Sequence, residues 1–246
     1  MKSIRLIGRL DIKNNNLIKS INLEGLKIVG DPNVFAKKYY DQGVDELIMM
    51  DVVATLYGRN YLTNILKEIT KKIFIPITIG GGVRTINDAK EILASGADKV
   101  AINSAAVKDP KFVESLVKEI GSQSVVISIE AKKRDNWWEV YTSNGREPTG
   151  KDVLKWIKEL IKLGAGEILL TSIDKEGTRE GFDLDLIKKA SNICKIPLII
   201  SGGFGKKNDL NSVLENQIDA IAIADAIHYG RYTVTEIKKH LNTLIN

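Results

Sequence analysis

Asp11 and Glu130 stand in matching surroundings. Leu10-Asp11-Ile12-Lys13 and Ile129-Glu130-Ala131-Lys132 each put one carboxylate just past an apolar, β-rich run. Two carboxylates in one mouth can divide general acid and general base work, because repulsion and burial push their pKa values apart. Either acid alone reads as a loop cap; the matched pair reads as chemistry. A second constellation is anionic in its preference. Gly80-Gly81-Gly82 with Asn103-Ser104, and Ser201-Gly202-Gly203 with Ala224-Asp225, follow apolar runs and precede helical patterns. Backbone N–H groups bared by glycine can cradle a phosphate there. Two such cups predict a substrate with a phosphate at each end. Ser104 would welcome the anion. Asp225, comfortable as a helix N-cap, would repel it. A third set, Arg5, Glu46, Lys99 and Glu167, opens four of the β-rich runs. Charges at strand starts are usually solvated. Two of each sign pointing inward would instead close a ring of salt bridges across a floor, since unpaired charge inside is costly.

These residues need elements that face them toward one another, and an internal repeat supplies the plan. Residues 75–82 read Ile-Pro-Ile-Thr-Ile-Gly-Gly-Gly, and residues 196–203 read Ile-Pro-Leu-Ile-Ile-Ser-Gly-Gly, so Pro76 and Pro197 differ by 197 − 76 = 121 positions. At that offset Gly81 meets Gly202, Gly82 meets Gly203, Asp88 meets Asp209 and Asp98 meets Asp219. A repeat of this length is a duplicated half-domain rather than a solenoid unit. Strands are predicted at 4–10, 46–50, 75–79, 99–102, 125–129, 167–171, 198–201 and 220–224, with amphipathic helices such as 86–93, 152–163 and 183–190 between them. Eight strand–helix units predict an α/β protein, a (β/α)₈ barrel of two half-barrels, with the whole chain 1–246 as a single domain. A doubly wound sheet is the alternative. Half-chain duplication closes a barrel more naturally. Two longer excursions, 13–32 and 132–150, follow the first and fifth strands and belong on the catalytic face as loops.

Composition narrows the partners. Charged residues make up 27% and apolar ones 43%, and the net charge is +5 with lysines spread over the helices. An anionic small molecule fits this as well as nucleic acid does, and no nucleic-acid partner is expected. Cys194 is the one cysteine, which leaves no internal disulfide and suits a reducing cytoplasm. Two histidines, His228 and His240, and no Cys/His cluster make a metal site unexpected. Arg5 and Arg9 break the N-terminal apolar run too early for a signal peptide, and no apolar run has membrane-spanning length.

Together these residues make the chain resemble the cyclase subunits of imidazole glycerol phosphate synthase, the HisF family. The likeness runs over essentially the whole length. It includes Leu10-Asp11, Lys19, Gly30-Asp31-Pro32, Asp45-Glu46-Leu47, Gly80-Gly81-Gly82, Gly96-Ala97-Asp98-Lys99-Val100, Gly121-Ser122-Gln123 and the stretch 164–174. The resemblance implies a cytoplasmic lyase-type enzyme without cofactor or metal, docked at its floor on a glutaminase subunit, with Asp98 at that interface. Ammonia would pass the ring of Arg5, Glu46, Lys99 and Glu167. At the top it would convert a ribulosyl aminoimidazole carboxamide bisphosphate to imidazole glycerol phosphate and an aminoimidazole carboxamide ribotide. Asp11 and Glu130 would be the acid/base pair, Lys19 part of a mobile active-site loop, and Thr171 and Gly177 would join the two phosphate cups in holding substrate.

Four positions depart from the family pattern. Glu130 replaces an aspartate, and a carboxylate displaced by over an ångström can cost ~100-fold in rate. Glu176 replaces an aspartate before Gly177, Asp225 replaces a serine, and Arg9 replaces a small residue. Arg9 shares strand parity with Asp11, so an ion pair from Arg9 to Glu130 is expected to lower the Glu130 pKa. The changes cluster at the top and leave the floor untouched. They admit an alternative: a paralogue of surface-glycan pathways that keeps the glutaminase and tunnel but passes ammonia to a sugar acceptor.

Overall fold

The computed structural model describes residues 4–54 and 62–245. Eight parallel strands pair edge to edge until the sheet closes: β1 (Arg5–Lys13), β4 (Glu46–Asp51), β5 (Ile77–Gly80), β6 (Lys99–Ile102), β7 (Val125–Arg134), β10 (Glu167–Ser172), β11 (Leu198–Ser201) and β12 (Ala220–Ile223). β12 pairs with β1, and β7 with β10, which completes the (β/α)₈ barrel. Successive side chains on a strand point to opposite faces, so each strand serves two cores. Leu6, Leu10, Leu47 and Met49 face outward and pack on the helices. Ile7, Ile48, Ala101, Val126, Leu169, Ile199, Ala220 and Ala222 face inward and fill the lumen with apolar side chains.

The helices begin where local chemistry lets them. Thr85 and Asp88 form a capping box ahead of Ile86–Ala94. Asp152 accepts from the Lys155 amide before Val153–Lys162, and Asp183 from the Leu186 amide before Leu184–Ile193. Pro32 and Pro110 occupy first turns, where a missing N–H costs nothing. No helix among the described residues is long and apolar enough to cross a membrane.

The two excursions differ from expectation. They are β-hairpins, not loops: β2 (Asn16–Ile21) with β3 (Glu24–Gly30), and β8 (Trp137–Thr142) with β9 (Glu147–Asp152). β1 and β7 run on past the barrel rim and pair antiparallel with β2 and β8. The reversals fall at Asn14-Asn15, Asn22-Leu23 and Ser143-Asn144-Gly145, all at positive φ, as tight hairpin turns require. Lys19 accordingly lies on the hairpin strand β2, and it is buried.

Candidate active site

Asp11 and Glu130 both emerge at the C-terminal mouth, from β1 and β7, and both are buried. Arg9, two residues before Asp11 on the same inward face, joins them and is itself almost wholly buried. Its Nε donates to Asp11 Oδ1 at 2.9 Å, and its Nη1 donates to Thr171 Oγ1 at 2.8 Å and Ser201 Oγ at 3.2 Å. The expected ion pair to Glu130 does not form: Asp11, two residues away on the same strand, takes the guanidinium instead. Burial opposes the charge on Arg9, yet Asp11, Glu176 and Glu130 hold its pKa above the ordinary value.

Glu130 consequently behaves opposite to expectation. Burial pushes its carboxyl up to about 7, against the lowering influence of the Gly145 amide and of Arg9. Its Oε2 accepts from the Gly145 N–H at 2.8 Å, a donor delivered by the β8–β9 turn. A carboxyl poised near neutrality in a buried mouth could donate a proton there.

A cavity of about 510 Å³ opens beside Glu130 and brings together the residues expected to form the first anion cup. Gly81, Gly82, Asn103 and Ser104 line it, with Arg9, Arg84 and Lys108 as cations. Gly81 and Gly82 have φ of 97° and 77°, in the left-handed region. A Cβ at Gly81 would lie 2.2 Å from the Asp51 carbonyl oxygen, so glycine is obligatory there. The Asn103 side chain donates to the Tyr141 carbonyl at 3.0 Å, while its buried Oδ1 has no hydrogen-bond partner. The second hairpin also contributes Ser143 and Asn144 to the lining.

The other half is built differently. None of Thr171, Gly177, Ser201, Gly202, Gly203, Ala224 and Asp225 lines that cavity. Thr171 and Ser201 are engaged by Arg9. Gly202 abuts the Ser172 carbonyl and the Glu176 carboxylate. Glu176 is buried and ion-paired to Lys19; burial would raise its pKa, but Lys19 and Arg9 hold it below the usual carboxylate range. Asp225 is not an N-cap: Ala224 holds that place, and Asp225 is the first residue of the short helix Asp225–His228. Nor does it stand as naked negative charge. Arg179 donates from Nε at 2.9 Å and from Nη2 at 3.3 Å, and Arg231 pairs with the same carboxylate. Arg179 itself sits at φ 66°, rare for a side-chain-bearing residue. Neither arginine was legible as a partner of Asp225, since no sequence spacing connects 179, 225 and 231. Gly145, Ser143 and Asn144 did carry a signal, the Ser-Asn-Gly turn.

At the opposite end the floor forms as the residue types require. Arg5, Glu46, Lys99 and Glu167 are the first residues of β1, β4, β6 and β10. Arg5 reaches Glu46 and Glu167 at 2.6 Å each, and Lys99 reaches the same two carboxylates at 3.3 Å and 2.8 Å. Each cation bridges both acids, which closes an alternating ring. Asp98 beside it is exposed.

Carboxylates at the mouth, a glycine-lined anion cup and a charged floor define a two-ended barrel of the sugar-phosphate-handling class. The sequence profile of the family described as histidine biosynthesis protein matches residues 5–233. The chain is 58% identical over 212 residues to the imidazole glycerol phosphate synthase subunit HisF of Legionella pneumophila, covering 86% of this chain and all of that one. The HisF subunit of Clostridium beijerinckii is 46% identical, over 98% of this chain and 97% of its own length. That of Pyrococcus furiosus is 42% identical, over 98% and 96% respectively. The chain belongs to the HisF family.

Proposed function

We propose that this barrel is the cyclase subunit of imidazole glycerol phosphate synthase. It uses ammonia to convert the ribulosyl aminoimidazole carboxamide bisphosphate to imidazole glycerol phosphate, a step of histidine biosynthesis. The observation that carries the chemistry is the split environment of the two carboxylates. Glu130, protonated near neutral pH, donates a proton to a leaving or developing oxygen. Asp11, held by Arg9, accepts one. Gly81, Gly82, Asn103 and Ser104 bind one phosphate; the end bearing Thr171, Gly177, Ser201, Gly202, Gly203, Ala224 and Asp225 receives the other, with Arg179 and Arg231 as the cations nearest to hand. Lys19 supports that end through Glu176.

The relatives are named as subunits, which implies an assembly. We infer that the partner is a glutaminase docked at the floor, around Asp98 and the exposed Phe74, and that ammonia crosses the ring of Arg5, Glu46, Lys99 and Glu167 to enter the apolar lumen. A cytoplasmic location goes with that pathway. Delivery of ammonia to a surface-glycan sugar has one feature on its side, the ion pairs that occupy the second anion end, and the names of the relatives do not favour it. Growth of a histidine auxotroph lacking the cyclase decides between them. Restored growth supports the cyclase; failure, with the protein expressed and folded, favours the other acceptor.

A further inference from the structure

The turn Ser143-Asn144-Gly145, between β8 and β9, is fastened to the mouth residue by residue. The Ser143 N–H donates to Ser104 Oγ at 3.3 Å, the Asn144 side chain donates to the Leu23 carbonyl at 3.4 Å, and the Gly145 N–H donates to Glu130 Oε2 at 2.8 Å. Leu23, at the tip of the first hairpin, is buried with Tyr141 and Ile173. It also fills the place where a side chain of residue 145 would go: a Cβ on Gly145 would lie 2.9 Å from Leu23 Cδ1. The tip that carries Leu23 is itself anchored. The Asn22 N–H donates to the Glu176 carbonyl at 2.8 Å, and its side chain donates to the carbonyls of Ile173 and Asp174. Gly145 is thus held between Glu130, on its N–H, and Leu23.

We propose that Gly145 is a positioning residue for the acid: its N–H, backed by Leu23, makes Glu130 Oε2 the accepting oxygen and leaves the transferable proton on Oε1. The inference rests on the reading of Glu130 as proton donor given above. A neutral carboxyl has one carbonyl oxygen, which accepts well, and one hydroxyl, which donates. An N–H aimed at Oε2 favours the carbonyl there, so the proton keeps to the other oxygen of a side chain that lines the cavity. The same bond favours the charged form over the neutral one. It therefore works against burial, and it is the foremost influence restraining the upward push on Glu130. Charges face Glu130 from several elements: Arg9 and Asp11 from β1, Asp51 from β4, Arg84 beyond β5, and Lys108 and Asp109 beyond β6. Tyr141 on β8 and Thr171 on β10 are its neighbours across the sheet. None of these residues is altered when the turn or its backing is changed, so a change at Glu130 then reads the N–H.

Two measurements test this, on wild type and on Gly145→Ala, Leu23→Ala and Leu23→Met. Gly145→Ala drives a Cβ against Leu23 at a φ of 75°, so the turn must shift. Leu23→Ala removes the backing and leaves Gly145 itself unchanged, and it carries the test if Gly145→Ala does not fold. Leu23→Met keeps the contact. The first measurement is a carbon-13 NMR titration of protein labelled at its glutamate carboxyls, with Glu130 identified by the signal that Glu130→Gln lacks. It needs no turnover. The Glu130 carboxyl should titrate near 7 in wild type and Leu23→Met, and about one pH unit higher in the other two variants. An unmoved titration in both Gly145→Ala and Leu23→Ala overturns the proposal. The second measurement is turnover of the bisphosphate with ammonium salt against pH. In Gly145→Ala and Leu23→Ala the alkaline fall of kcat should move up with the carboxyl, and the maximal kcat should drop about tenfold, with the KM for the bisphosphate held within about twofold. A kcat lowered equally at every pH, with the alkaline fall unmoved, reduces the turn to a structural support and overturns the proposal. Wild type that makes no product from ammonia overturns the cyclase reading instead, and the NMR titration still decides whether Gly145 governs Glu130.

Discussion

Asp98 and Asp219 perform the same task in the two halves of the barrel. Asp98 Oδ2 accepts the Ile77 N–H at 2.8 Å, and Asp219 Oδ2 accepts the Leu198 N–H at 2.9 Å, each reaching back twenty-one residues. Each bond ties the start of one strand to the loop before the next, so the bottom of both half-barrels is held alike. The tops have diverged: Asn103-Ser104 line an open cavity, whereas Ala224-Asp225 meet two arginines. Asp98 remains exposed.

Asp11→Asn should remove the base while preserving its shape. Product formation from added ammonia should fall about a hundredfold or more in kcat, with little change in the KM for the bisphosphate. Steady-state kinetics with ammonium salt measure both. Unchanged turnover would take Asp11 out of the reaction.

Glu130 makes a prediction about pH. Its folded pKa of about 7 lies above the ordinary 4.5 because burial disfavours the charge. For an acid shifted upward, the folded state binds the proton more tightly. The resulting stability is fully present below about 4.5 and is lost as pH rises through about 7, at most roughly 3 kcal/mol. Urea unfolding of wild type and Glu130→Gln should therefore diverge between pH 5 and 8, the variant losing less. As a general acid, Glu130 should also make wild-type kcat fall above pH 7. Parallel stability profiles for the two proteins would contradict the shift.

Lys99→Ala should leave Glu46 and Glu167 sharing Arg5 alone. Two buried acids with one cation cannot keep the ring closed and alternating. Glutamine hydrolysis should then run ahead of product formation in the complex reconstituted with the glutaminase, while turnover on added ammonia changes less. The ratio of glutamate released to product formed reads this directly. A stoichiometric ratio in the variant would reduce the ring to a structural brace.

Asp225→Ser should tighten bisphosphate binding about tenfold, ~1.4 kcal/mol. Removal of the carboxylate deletes a repulsive charge and frees Arg179 and Arg231 to meet the phosphate. Calorimetry of the complex gives the answer. Weaker binding would mean that Asp225 contacts the substrate itself or holds the arginines in their working positions.

Much of this protein was written in its linear order. The offset of 121 between Pro76 and Pro197, the alternation of β-rich and amphipathic runs, and the acids before the helices determine a barrel of two halves, because periodicity and capping are local properties. The floor was equally legible: four charges at strand starts, two of each sign, have one low-energy arrangement once they face inward. Tertiary structure alone decided the mouth. Arg9 had both Asp11 and Glu130 within its parity, and packing gave it to Asp11, leaving Glu130 buried with its carboxyl pushed up to about 7. Arg179 and Arg231 come to Asp225 from segments 46 and 6 residues away, and Lys19 finds Glu176 across 157. Which buried charges become partners depends on distances and desolvation between elements remote in sequence, and those distances exist only after the chain has closed on itself.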